Sequence, residues 1–165
     1  MMIPGYIQEG TFAGHGVFFV GLEERISSPF ECSVEIMENR ESFLVSGYYQ
    51  HPSTIDRRSF SASLSKPRAS LASLTVGALD LSDATLGELT GVLSTSGTSV
   101  LIQARSNDFQ TQISQRWDGL HQDHRFHVHG VVVQDGKPPI HYSLSFGNVD
   151  PRLAKSNVLA LGDSA

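Results

Sequence analysis

Apolar and polar residues alternate with a period of two through three stretches of this chain, and that patterning makes half-buried β-strands. Phe109, Thr111, Ile113 and Trp117 share one face of the first, with Gln110, Gln112, Ser114 and Arg116 on the other. Phe126, Val128, Gly130 and Val132 form one face of the second, opposite His127, His129, Val131 and Val133. In the third, Ile140, Tyr142, Leu144 and Phe146 alternate with His141, Ser143 and Ser145. The shared apolar side of these strands has to be covered by more strands or helices, so the rest of the chain decides the architecture.

The remainder reads as further short strands cut by turn residues. Val34–Met37 and Phe43–Tyr49 flank a turn at 38–42. Val131–Val133 and Ile140–Phe146 flank 134–139, where Asp135-Gly136 supplies the turn and Pro138-Pro139 block early pairing. Thr95–Thr98 reverses the chain into Val100–Ala104, and Thr11–Val20, Leu22–Ile26, Ser59–Leu64 and Leu71–Leu79 are further strand candidates. One stretch suggests a helix: Leu86, Leu89 and Leu93 follow an N-cap candidate at Ser82-Asp83, although Gly87 and Gly91 suit a strand pair nearly as well. The expected fold is all-β, an antiparallel up-and-down barrel of about eight to ten strands, with a β-sandwich as the alternative. Residues 1–165 read as a single barrel domain, with 150–165 a short tail that is either helical or loose.

Charge and cysteine usage narrow the function classes. The net charge of −5, with three lysines, leaves no basic face for a nucleic-acid backbone or an anionic membrane. Cys32 is the lone cysteine, which forbids an internal disulfide and fits a reducing cytoplasm. With Glu31 before it and no cation adjacent, Cys32 reads as a buried structural thiol rather than a nucleophile. Neither a cationic leader nor an apolar run approaching the ~20 residues of a membrane span is visible, so a cytoplasmic location is expected. No Gly-x-Ser-x-Gly elbow or phosphate loop supports a hydrolase or a nucleotide-binding protein.

The opening segment Gly10-Thr11-Phe12-Ala13-Gly14-His15-Gly16 resembles the Gly-x-Trp start of the calycin (lipocalin-like) barrels. It is similar in particular to the Gly-x-Trp-x-Gly-x-Gly opening of the nitrobindin-type haem barrels, with Phe12 where Trp stands in the family. The resemblance implies that this aromatic plugs the closed end of a barrel while the glycines let the first strand coil past it. It also implies an interior pocket. In nitrobindins a histidine on one of the last strands holds haem; His141 lies in that region, but its neighbours do not reproduce a family motif.

Residues 121–129 hold four of the seven histidines. His127 and His129, two apart on a strand, share a face about 6.5–7 Å apart, a spacing at which two imidazoles can converge on one ion. This His-x-His also opens the cupin metal motif, but Val133 and Gln134 stand where that motif needs glutamate. His121, Asp123 and His124 are further loop ligands in principle. Pairing Val133 with Ile140 puts His141 on the face opposite His127 and His129, and a one-residue bulge in the loop would reverse this. Three readings stand: a polar outer strand face, a pocket lining, or a metal or haem site with His127, His129 and His141 as candidate ligands. No cofactor is assigned.

The preferred function is a lipocalin-like barrel holding a small, mostly apolar molecule, with His127, His129, Trp117, Phe109 and Tyr142 around the ligand. One alternative is a small enzyme of isomerase, cyclase or decarboxylase type with histidine as general acid and base. Another is an interaction protein, including a homodimer, that docks through strand edges or the Ser-rich 59–73 segment.

Overall fold

The computed structural model describes residues 7, 9–21, 27–51, 56–66, 68–69, 75–96, 99–122 and 125–149. The Leu22–Ile26 strand expectation, the start of Leu71–Leu79 and the tail 150–165 lie outside these residues. The strands are β1 (Gly10–Val20), β2 (Ser28–Glu38), β3 (Ser42–Gln50), β4 (Arg58–Ser65), β5 (Arg68–Ala69), β6 (Thr75–Asp83), β7 (Gly87–Ser96), β8 (Ser99–Arg105), β9 (Thr111–Gln122), β10 (Arg125–Gln134) and β11 (Ile140–Asn148).

Each strand pairs antiparallel with the next except β4 with β5, and β1 pairs with β11. The two-residue β5 continues the line of β4 along β6, and β4 itself pairs with β6 through Phe60–Leu64. The sheet therefore closes into an up-and-down barrel of ten long strands, each paired on both sides.

No helix forms over 82–93. Asp83 does the capping that the sequence suggests, its Oδ1 accepting from the N–H of Thr85 at 2.7 Å and of Leu86 at 3.0 Å. The chain then turns back instead of coiling, because Gly87 takes a φ of 82° and starts β7. Leu89 and Leu93 are buried at period two, not helical spacing.

The glycines of the opening motif have separate tasks. A Cβ on Gly14 would lie 2.6 Å from the Phe146 ring, and one on Gly16 would run into the Ser143 carbonyl of β11. The first makes room for a core aromatic, and the second lets β1 and β11 approach closely enough to close the barrel. Phe12, 2% exposed, lies beneath Phe126 in an edge-to-face contact at 5.1 Å. Ile36, Leu64, Leu89, Leu93 and Val100 complete the most deeply buried set. None of these six borders the interior cavity, so one part of the barrel is packed solid and the space lies elsewhere.

Candidate functional site: an interior cavity

The cavity has a volume of about 530 Å³ and lies against the inner faces of β1–β4, β6 and β9–β11. Its walls are mainly apolar: Phe30, Val34, Val45, Ile113, Val128 and Leu144 are representative. The inner face of β10 shows why, since Phe126, Val128 and Val132 alternate there with outward His127, His129 and Val133. At the end where β3 runs toward β4 and β6 turns into β7, a polar group borders the space. Tyr49 donates its hydroxyl to Asp83 Oδ1 at 3.2 Å and sits 3.2 Å from Thr85 Oγ1, which accepts from Arg58 Nη1 at 2.9 Å. His51 and Asp56 border the cavity at the same end.

Deeper in the wall is a second polar set carried by neighbouring strands. Trp117 Nε1 donates to Gln115 Oε1 at 3.0 Å, and Gln115 Nε2 donates to the Tyr142 hydroxyl. Gln115 and Trp117 follow one another along the inner face of β9, and Tyr142 reaches them from β11 past Gly130 of β10. Gly130 stands directly opposite Tyr142, and the phenol ring lies across it where a side chain would otherwise be. Phe30 adds an edge-on contact to the same ring at 6.3 Å.

The site residues expected from sequence divide cleanly. Trp117 and Tyr142 border the cavity. His127 and His129 do not: they are exposed on the outer face, with Nδ1 3.0 Å from Ser145 Oγ and 3.2 Å from Ser143 Oγ, respectively. Phe109 also misses the interior. It has the right parity but falls in the β8–β9 turn at φ 61°, 58% exposed, with the Arg105 guanidinium 4.5 Å over its ring. The Ser106 and Asp108 side chains organise that turn, which ends the alternation one residue pair early.

His141 lies on the same outer face as His127 and His129, because Ile140 pairs with Val132 rather than Val133. One residue more in the loop reverses the parity expected from the simpler register. His141 stacks on Phe19 at 5.1 Å instead of converging with the other two, and no group of three or more potential ligands of the His, Cys, Asp and Glu type forms among the described residues. His141, which lies in the region of the nitrobindin haem ligand, is thus turned away from the cavity. His124, Asp123 and the side chain of His121 lie outside the described residues.

Sequence reasoning missed Gln115, Tyr49, Asp83 and Arg58. Gln115 sits in the apolar register of β9 between Ile113 and Trp117, and a polar residue at an inward position was the available signal.

Burial shapes the titration of the cavity wall. It pushes the Cys32 thiol up from 9.0 to about 12, and raises the Tyr142 phenol against the opposing hydrogen bond from Gln115. Tyr49 is raised as well, chiefly by burial. All three hold their protons in the folded state at pH values where the unfolded chain has released them, so their contribution to stability is complete below about pH 9 and is lost as pH rises further. The urea midpoint is expected to fall steadily from pH 8.5 to 10.5, with Cys32 alone contributing on the order of 1 kcal/mol per pH unit above its ordinary value. Cys32→Ala should flatten that decline; a variant curve parallel to the wild type would remove Cys32 as its source.

No family model matches the chain, and no curated protein matches it. Solved structures do share its fold. Rv2717c from M. tuberculosis superposes with a TM-score of 0.60 over 86% of this chain and 92% of its own, at 11% identity. What the two share is the barrel. No helix long and apolar enough to cross a membrane is present among the described residues.

Proposed function

We propose that this barrel binds a small, mostly apolar molecule in its interior, in the manner of calycin-type ligand carriers. The observation that carries the reading is the cavity itself. Its volume of about 530 Å³ falls in the range of small-molecule sites, and its apolar wall holds a few convergent polar groups. A barrel evolved only for stability would fill this space with side chains, as the region around Leu89, Leu93 and Val100 does. The calycin likeness adds support through the opening motif and the closed meander. Acid–base catalysis by His127 and His129 has no access to this site.

Trp117 is the sole tryptophan and borders the cavity, so it reports occupancy directly. Titration with an alkylated aminonaphthalene dye is expected to quench its emission saturably at one dye per barrel. Native mass spectrometry of the purified protein should show a matching bound mass or a free site. Val128→Phe, which narrows the cavity, should weaken the dye, whereas the double variant His127→Ala/His129→Ala should leave it unchanged. Unsaturable or absent quenching would remove the binding function.

A further inference from the structure

The Trp117–Gln115–Tyr142 chain of hydrogen bonds runs in one direction. An indole N–H can only donate, so its bond to Gln115 Oε1 fixes which way the amide faces. The Gln115 Nε2 group is then the one aimed at Tyr142, and the phenol oxygen accepts from it. The phenol hydrogen remains, and no acceptor for it occurs among the described residues. The ring that carries it is held across Gly130 and edge-on to Phe30, so the hydroxyl is presented from a defined place in the cavity wall. A half-buried donor that faces a mainly apolar cavity without an acceptor is unfavourable, and an occupant that supplies one removes the penalty.

The charge pattern narrows the acceptor. Among the described residues, the charged side chains bordering the cavity are Asp56, Arg58 and Asp83, all from the segments that form its polar end. Among the described residues no cation stands beside Tyr142 to neutralise a carboxylate, while Asp83 is close enough to act on its phenol, and the Cys32 thiol of the same wall keeps its proton. We propose that the ligand is a neutral, largely apolar molecule bearing a carbonyl oxygen, and that this oxygen accepts the Tyr142 hydroxyl hydrogen while Gln115 and Trp117 hold the phenol in place. This inference rests on the cavity being a binding site and specifies what it selects.

The test uses two dyes on the full-length protein: an acylated aminonaphthalene, whose ketone emission reports hydrogen bonding at its carbonyl, and the same dye with the acyl group reduced to an alkyl chain. Tyr142→Phe keeps the ring and deletes the hydroxyl. It is expected to weaken the ketone about five- to tenfold, the size of one well-placed neutral hydrogen bond, and to leave the alkyl dye within about twofold. Emission of the bound ketone should move to the blue in the variant. If Tyr142→Phe fails to fold, Gln115→Met carries the test: freeing the phenol to turn away should weaken the ketone and spare the alkyl dye. Equal losses for both dyes, or no loss for either, would overturn the carbonyl assignment while the binding function stands. Failure of both dyes to bind the wild type would overturn the two together.

Discussion

Phe12→Ala is expected to lower the unfolding free energy by about 3–5 kcal/mol, the usual range for deleting a fully buried phenyl ring from a core that cannot collapse around the gap. Phe12 is 2% exposed and meets Phe126 edge-on at 5.1 Å. Phe126 in turn stacks on Phe146 at 4.7 Å and on Trp117 at 5.9 Å, so the lost ring supports an aromatic column that forms part of the cavity wall. At about 2–4 °C per kcal/mol for a chain of this size, the melting temperature should drop by roughly 6–20 °C. Dye affinity should change far less than stability in the fraction that remains folded, because Phe12 itself does not border the cavity. A cost below about 1 kcal/mol in urea unfolding would mean that the aromatic of the opening motif does not plug the barrel.

How much of this was legible in the sequence follows from the range of each interaction. Alternation is a local property enforced by burial on one face, so Ile113, Trp117, Val128, Tyr142 and Leu144 fall inside as their parity demands. Alternation cannot say which face is inside when both carry hydrophobic residues. On β10 the outward face holds Val131 and Val133 beside the two histidines, and closure of the barrel around Phe126 and Val128 makes the decision. Turn length is a second blind spot: one residue in the β10–β11 loop moved His141 to the other face. The Ser82-Asp83 cap was a true signal with two outcomes, because the same Asx hydrogen bonds open a helix or tighten a hairpin. The polar end of the cavity was illegible because Tyr49, Arg58 and Asp83 are distant in sequence and meet only through the β3–β4–β6 pairing.

That long-range assembly is most exposed to test at Gly130. A Cβ there would lie 2.6 Å from Tyr142 Cε1 and closer still to the hydroxyl end of the ring, so Gly130→Ala must displace the phenol. Overpacking of this kind costs about 1–3 kcal/mol. The ring has the cavity to swing into, which places the expected loss in the lower half of that range and moves the hydroxyl off Gln115. The stability effect should therefore depend on Tyr142. In a Tyr142→Ala background the collision disappears, and Gly130→Ala should become neutral or gain about 0.5–1 kcal/mol from the reduced backbone freedom of the unfolded chain. The four urea curves of this double-mutant cycle should give a coupling energy above about 1 kcal/mol, and Gly130→Ala alone should abolish the preference for the ketone dye. Additive effects would show that the ring does not rest on Gly130, and retention of the ketone preference would show that the hydroxyl is positioned by something other than this contact.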